Sequence, residues 1–156
     1  MDDRAHLIGQ MKNRALVYLE MYDVLAEELG ADKAEALLTK AIYNRGRKMG
    51  AAFAKYAPSD LAGLRGAFLG SVPGGEAIFQ PQVLKSNAES LEIQLHGCPL
   101  KDAWRDAKLC EEKVATLCRI AGAVDKGLFE GAGFKFENRT WTPGAQGCCF
   151  LSIRKG

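Results

Sequence analysis

No run of about 18 apolar residues occurs in this 156-residue chain, so a membrane-spanning helix is excluded and no membrane partner is expected. No Cys-x-x-Cys pair occurs among the five cysteines (Cys98, Cys110, Cys118, Cys148, Cys149), which argues against a zinc ribbon or a thioredoxin-type redox centre. Charge of one sign is also missing. The net charge is +2 with acids and bases interspersed, so the one-sided basic footprint of a nucleic-acid binder is absent and no nucleic-acid partner is expected. The opening stretch MDDRAHLIGQMKNR is acidic and then mixed, without the apolar core of a signal peptide. An odd cysteine count beside that stretch leads us to expect reduced thiols in a cytoplasmic protein. Internal repeats and low-complexity tracts are absent as well.

What is present suits a single domain over residues 1–156, long enough to bury a full core without disulfide or metal staples. Residues 4–29 carry Ile8, Met11, Ala15, Tyr18, Leu19, Tyr22, Leu25 and Ala26 at helical spacing, with Gly30 placed as a C-terminal cap. Asp32 is a candidate cap for a second helix over 33–56. In that helix Gly46, Gly50 and Ala54 recur every fourth residue and would admit a close neighbour. Pro58 ends it, and Ser59 or Asp60 caps a third helix over 60–69. Pro73-Gly74-Gly75 then marks a change of layer. Strands are expected near 77–80, 89–96, 133–141 and 147–154, a short helix over 101–107 and a long one over 111–130. The plan is α+β: an antiparallel sheet of about four strands, packed against an N-terminal helical layer and a central helix in the C-terminal half.

The segment EEKVATLCRIAGAVDKGLFEG, residues 111–131, organises the rest. Val114, Leu117, Cys118, Ala121, Val124, Asp125, Leu128 and Phe129 share one face, and the aspartate stands two turns after Cys118. A carboxylate on a core-facing stripe must find partners or stay protonated, because an unpaired buried charge is costly. It is either a structural carboxylate or, with Cys118, part of the wall of a small polar pocket. Cys98 ends a strand and precedes a proline, a place where side chains face clefts and where a following helix N-terminus would favour the thiolate. His96, two residues earlier, is either a base for that thiol or an exposed polar residue. Cys148 and Cys149 should point to opposite faces of the last strand, so at most one joins a pocket, and a disulfide between them is not expected. Cys110 is incidental. Asn44, Arg45, Arg47 and Lys48 form a basic cluster: a solvated face, or an anchor for a ligand carboxylate. Three thiols on separate elements with Asp125, and His96 as a further candidate, suit a cysteine nucleophile or a thiolate metal site. Spacing alone leaves both open.

The C-terminal half resembles the L-2-amino-thiazoline-4-carboxylic acid hydrolase family. The resemblance rests on Cys98-Pro99-Leu100, on Cys118 and Asp125 of the following helix, and on Gly144-Ala-Gln-Gly-Cys148-Cys-Phe150. The Gly46/Gly50 stretch is in a similar place, so that roughly residues 30 to 153 are covered. More distantly, the framework is similar to 4-vinyl reductase-type small-molecule-binding domains, where cysteines with a carboxylate can hold zinc. The resemblance implies a hydrolase that opens a cyclic isothiourea, 2-amino-thiazoline-4-carboxylate, toward N-carbamoyl-cysteine. In such an enzyme Cys98, or a bound hydroxide, would attack the amidine-like carbon. Asp125 would hold the amidinium and pass protons, with Cys118, Cys148 and His96 as the other catalytic candidates. Arg45 or Arg47 would pair with the substrate carboxylate. A small-molecule substrate is the expected partner and no cofactor is expected, zinc being the alternative. The rival function is a non-catalytic small-molecule or zinc sensor. A homodimer is the assembly to test.

Overall fold

In the computed structural model, which describes residues 2–156, the long helix α6 (Glu111–Ala132) is the spine on which both layers pack. Its N-terminal half joins a core with α1 (Asp3–Leu29), α2 (Ala31–Gly50) and α5 (Pro99–Asp106). Its C-terminal half, through Leu128, Phe129 and Ala132, joins a second core with α3 (Leu61–Ser71) and the sheet. The sheet has order β1-β2-β4-β3, from Pro81–Ser86, Ser90–Leu95, Phe150–Arg154 and Lys135–Arg139, and every pairing is antiparallel. Leu91, Ile93 and Leu95 of β2 and Leu151 and Ile153 of β4 point into the core, while the alternate residues face away from it. The fold is the expected α+β arrangement of helices on an antiparallel sheet. No helix among the described residues is long and apolar enough to cross a membrane.

The recurrent glycines have a partner. A methyl group on Gly46 would collide with the Val124 carbonyl, and one on Gly50 with the Leu128 carbonyl. In return, Gly127 of α6 lies against the Tyr43 carbonyl, and Gly131 against the backbone of Arg47. The two helices therefore meet backbone to backbone along two turns, which only residues without a side chain permit. Ala54 takes no part. It is exposed in a 3-10 turn, Ala51–Tyr56, that continues α2, where one unbroken helix to residue 56 was expected.

Other boundaries differ for identifiable reasons. The strand expected at 77–80 is instead a single helical turn, α4 (Glu76–Phe79), and β1 begins at Pro81. Gln80 closes that turn in the left-handed region at φ 49°, and Ile78 is buried. β1 escapes sequence reading because it is an edge strand exposed on both faces, Val83 and Leu84 included, so it carries no alternation. The cap of α2 is Gly30, with Asp32 inside the first turn, whereas Asp60 caps α3 by accepting the Gly63 amide at 2.9 Å. Trp104 of α5 is fully buried and donates its indole N–H to the Ala15 carbonyl at 2.8 Å, which ties α5 to α1.

Candidate functional site

Cys98 is the N-terminal cap residue of α5, with an extended backbone that turns the chain from β2 into the helix. Pro99, in the first turn, supplies the φ that a helix start needs. Cys118 projects from α6, and Cys148 and Cys149 precede β4. The backbone of this last pair is fixed by Leu95, whose amide donates to the Cys149 carbonyl at 2.8 Å and whose carbonyl accepts from the Cys148 amide at 2.9 Å. The three segments bring Cys98, Cys118 and Cys148 together, close enough that Cys98 and Cys148 perturb each other and both act on or feel Cys118. All five thiols are free.

Cys149 belongs to the group too, contrary to the parity argument. The Cys148 and Cys149 sulfurs are 3.4 Å apart and both residues are buried. Strand alternation fails because the pair lies in irregular chain just before Phe150, where regular pairing begins. Cys110 stays outside, exposed at the start of α6.

A fifth residue completes the cluster, and the sequence did not single it out. Lys101 is only 8% exposed; its ammonium donates to the Gly147 carbonyl at 2.6 Å and sits over the Trp141 ring at 5.9 Å. It lowers the pKa of Cys118. A lysine in the first turn of a helix opposes the helix dipole, and that local conflict was the signal available in Cys98-Pro-Leu-Lys101.

The thiols are held protonated. Cys98 is raised well above the ordinary thiol range, first by its contact with Cys148 and then by burial, while the backbone amides of Leu100 and Lys101 pull the other way. Neither amide reaches capping hydrogen-bond geometry. Burial pushes Cys118 up to about 12, with Cys98 adding to it. Cys148 is raised by its contact with Cys149 and by burial. Of the four clustered cysteines Cys98 is half-buried as a residue and the other three are buried.

Asp125 stands apart from this group. Burial alone pushes its carboxyl up to about 7; no thiol, cation or hydrogen-bond donor contributes. Seven residues beyond Cys118 on the same helix, it is displaced by about 10 Å along the axis. As a residue Asp125 is half-buried. His96 turns outward, exposed, with Nε2 2.8 Å from the Gln82 side-chain oxygen. Arg45 and Arg47 are exposed on α2, the helix whose Gly46 and Gly50 meet the Val124 and Leu128 carbonyls of α6. Among the described residues no group of three or more His, Cys, Asp or Glu side chains is arranged to hold a metal ion.

Two depressions mark the surface, one of about 700 Å³ on the outer face of the sheet and one of about 390 Å³ on the α2–α6 seam. Neither includes a clustered thiol. Residues 142–147 pass over the cluster, tied by Lys101 and by the Trp141 indole, which donates to Ala145 at 3.2 Å.

The protein is thus an α+β domain with helices packed on an antiparallel sheet and a buried group of thiols at the start of α5. The model of the L-2-amino-thiazoline-4-carboxylic acid hydrolase family matches residues 10–151, and the chain belongs to that family. No curated protein matches it. Membership supports a hydrolase-like function in general.

Proposed function

We propose that the protein hydrolyses a small cyclic amidine or isothiourea of the 2-amino-thiazoline-4-carboxylate kind by a cysteine-dependent route, with Cys98 as the nucleophile. One observation carries the choice of Cys98: alone among the clustered cysteines it is half-buried rather than buried, and it stands at the N-terminus of a helix. Because the thiol is protonated at rest, the substrate supplies the base. As sulfur bonds to the amidine carbon, the thiol proton passes to an amidine nitrogen. The ring C–S bond then breaks, and its sulfur leaves as a thiol once it is protonated. Water adds to the resulting enzyme-bound isothiourea carbon, and collapse expels the Cys98 sulfur and releases a carbamoyl product. The net change is addition of one water. Lys101 stabilises negative charge on sulfur, and the buried Cys118 and Cys148 keep bulk water from the reacting carbon. Asp125, about two turns from Cys118, touches a more distant part of the ligand or none. Arg45 and Arg47, exposed on α2, are assigned no part in this scheme.

The raised thiols favour one other reading, a non-catalytic small-molecule-binding domain on the same framework. Incubation with 2-amino-thiazoline-4-carboxylate, followed by mass spectrometry of product and protein, separates the two. The enzyme reading expects a product one water heavier, abolished in Cys98→Ser and retained in Cys110→Ser. Binding without turnover supports the second reading, and turnover that survives Cys98→Ser removes Cys98 as nucleophile.

A further inference from the structure

Helix α1 is packed on one side only. Met11, Ala15 and Leu19 face α2 and α5, while Val17, Met21 and Val24, at helical spacing on the opposite side, are 47%, 41% and 59% exposed. Leu16, 41% exposed, flanks them. Three large apolar residues in line on a 27-residue helix are more than scattered surface exposure. Charge then says what covers them. Arg14 lies seven residues before Met21 and Glu28 seven after it, so both continue the stripe at its two ends. Both are exposed, and neither has an ion-pair partner among the described residues. A basic end and an acidic end placed evenly about a central apolar residue make a surface complementary to itself in the antiparallel sense.

We infer that this face of α1 docks against α1 of a second copy of the chain, antiparallel, about a two-fold axis near Met21. In that arrangement Val17 of each copy meets Val24 of the other, and Arg14 of each faces Glu28 of the other, with Glu27 alongside. Such a contact is isologous, so it closes on itself and stops at two chains. A helix of this length offers a strip about 40 Å long and 10 Å wide. The pair therefore buries on the order of 800 Å² in total, small for a stable dimer, and the dissociation constant belongs in the micromolar range.

The inference does not depend on the hydrolase reading, and sedimentation velocity of the intact chain tests it across about 1 to 500 μM, a span chosen around that range. A monomer–dimer equilibrium is expected. Met21→Glu should raise the dissociation constant by about tenfold or more, since it places two like charges at the axis. Arg14→Glu should weaken the dimer several-fold, and adding Glu28→Arg to it should restore association, a rescue that loss of folding cannot imitate. Circular dichroism of each variant confirms that α1 is intact. Strict monomers across the range, or a dimer indifferent to Met21→Glu and to the charge exchange, overturn the inference. Sedimentation as a larger complex only with added anionic lipid vesicles would assign the face to a membrane surface, and would overturn it equally.

Discussion

Replacing Asp125 by asparagine removes one charge and almost no volume, and the structure fixes how the effect should depend on pH. Burial raises the carboxyl from 3.8 to about 7, with no hydrogen bond or cation opposing it. Between those values the folded state holds a proton that the unfolded state has released. Stability of the wild type therefore falls as pH rises from about 4 to about 7, and the full penalty is present above that window. At 1.36 kcal/mol per unit the shift sets an upper bound of about 4 kcal/mol. The residue is half-buried, and solvent screening brings the expected figure to about 2 kcal/mol. An unpaired amide at the same place has its own cost of about 1 kcal/mol, but that cost does not change with pH. The informative quantity is thus the difference between wild type and Asp125→Asn in urea melts at about pH 8, minus the same difference at about pH 4. The asparagine variant should gain about 2 kcal/mol on wild type between the two conditions, and should match or fall slightly below it at the lower pH. A pH-independent difference, or a loss of stability at the higher pH, would refute the reasoning and show that the carboxylate is paired inside the fold.

Three further outcomes follow from the geometry. Lys101→Met should cut turnover by about 100-fold, as removal of a preorganised electrostatic partner does, and should move the pH profile of Cys98 alkylation upward. An unmoved profile with lost activity would reduce Lys101 to a packing residue. Gly127→Ala should cost about 2 kcal/mol in a denaturant melt, because the new methyl meets the immobile Tyr43 carbonyl; Gly66→Ala, where nothing lies within 4 Å, is the control and should be neutral or stabilising. Iodoacetamide at neutral pH, read by peptide mapping, should label exposed Cys110 well before Cys118 and Cys148, which should react only on unfolding. Prompt labelling of Cys118 in the folded protein would contradict its burial.

Helical periodicity carried most of the fold into the sequence. Long amphipathic segments such as α1 and α6 were readable to within two residues, because their buried faces repeat through many turns. The elements that were not readable lack such repetition. α4 is one turn held between Gly75 and Gln80, and β1 is an edge with nothing buried to alternate. The site was legible as residue types on separate elements and illegible in its relative directions. Helix periodicity put Cys118 and Asp125 on one stripe but could not say that the other thiols gather only around the first. It also could not say that α2 meets α6 backbone to backbone through glycines while Arg45 and Arg47 stay exposed. The vicinal pair misled because strand parity was applied to residues that precede the strand.

The four clustered thiols are placed by three independent backbone devices, and this bears on what they can become. Cys98 is set by the start of α5, Cys118 by a helix locked to α2 through Gly46, Gly50, Gly127 and Gly131, and Cys148 with Cys149 by paired hydrogen bonds to Leu95. A Cys-x-x-Cys loop lets two sulfurs adjust to a metal or to each other by moving a few dihedral angles. Here any such adjustment must displace a helix against a backbone contact that has no slack, or break the Leu95 pairs. The arrangement holds Cys98, Cys118 and Cys148 as protonated thiols beside one another, with the Lys101 ammonium acting on Cys118. Residues 142–147 carry none of these devices and are fastened by Lys101 at the Gly147 carbonyl and by the Trp141 indole at the Ala145 carbonyl. Substitutions in that segment should therefore alter entry of small molecules to Cys98 while leaving the positions of the sulfurs unchanged.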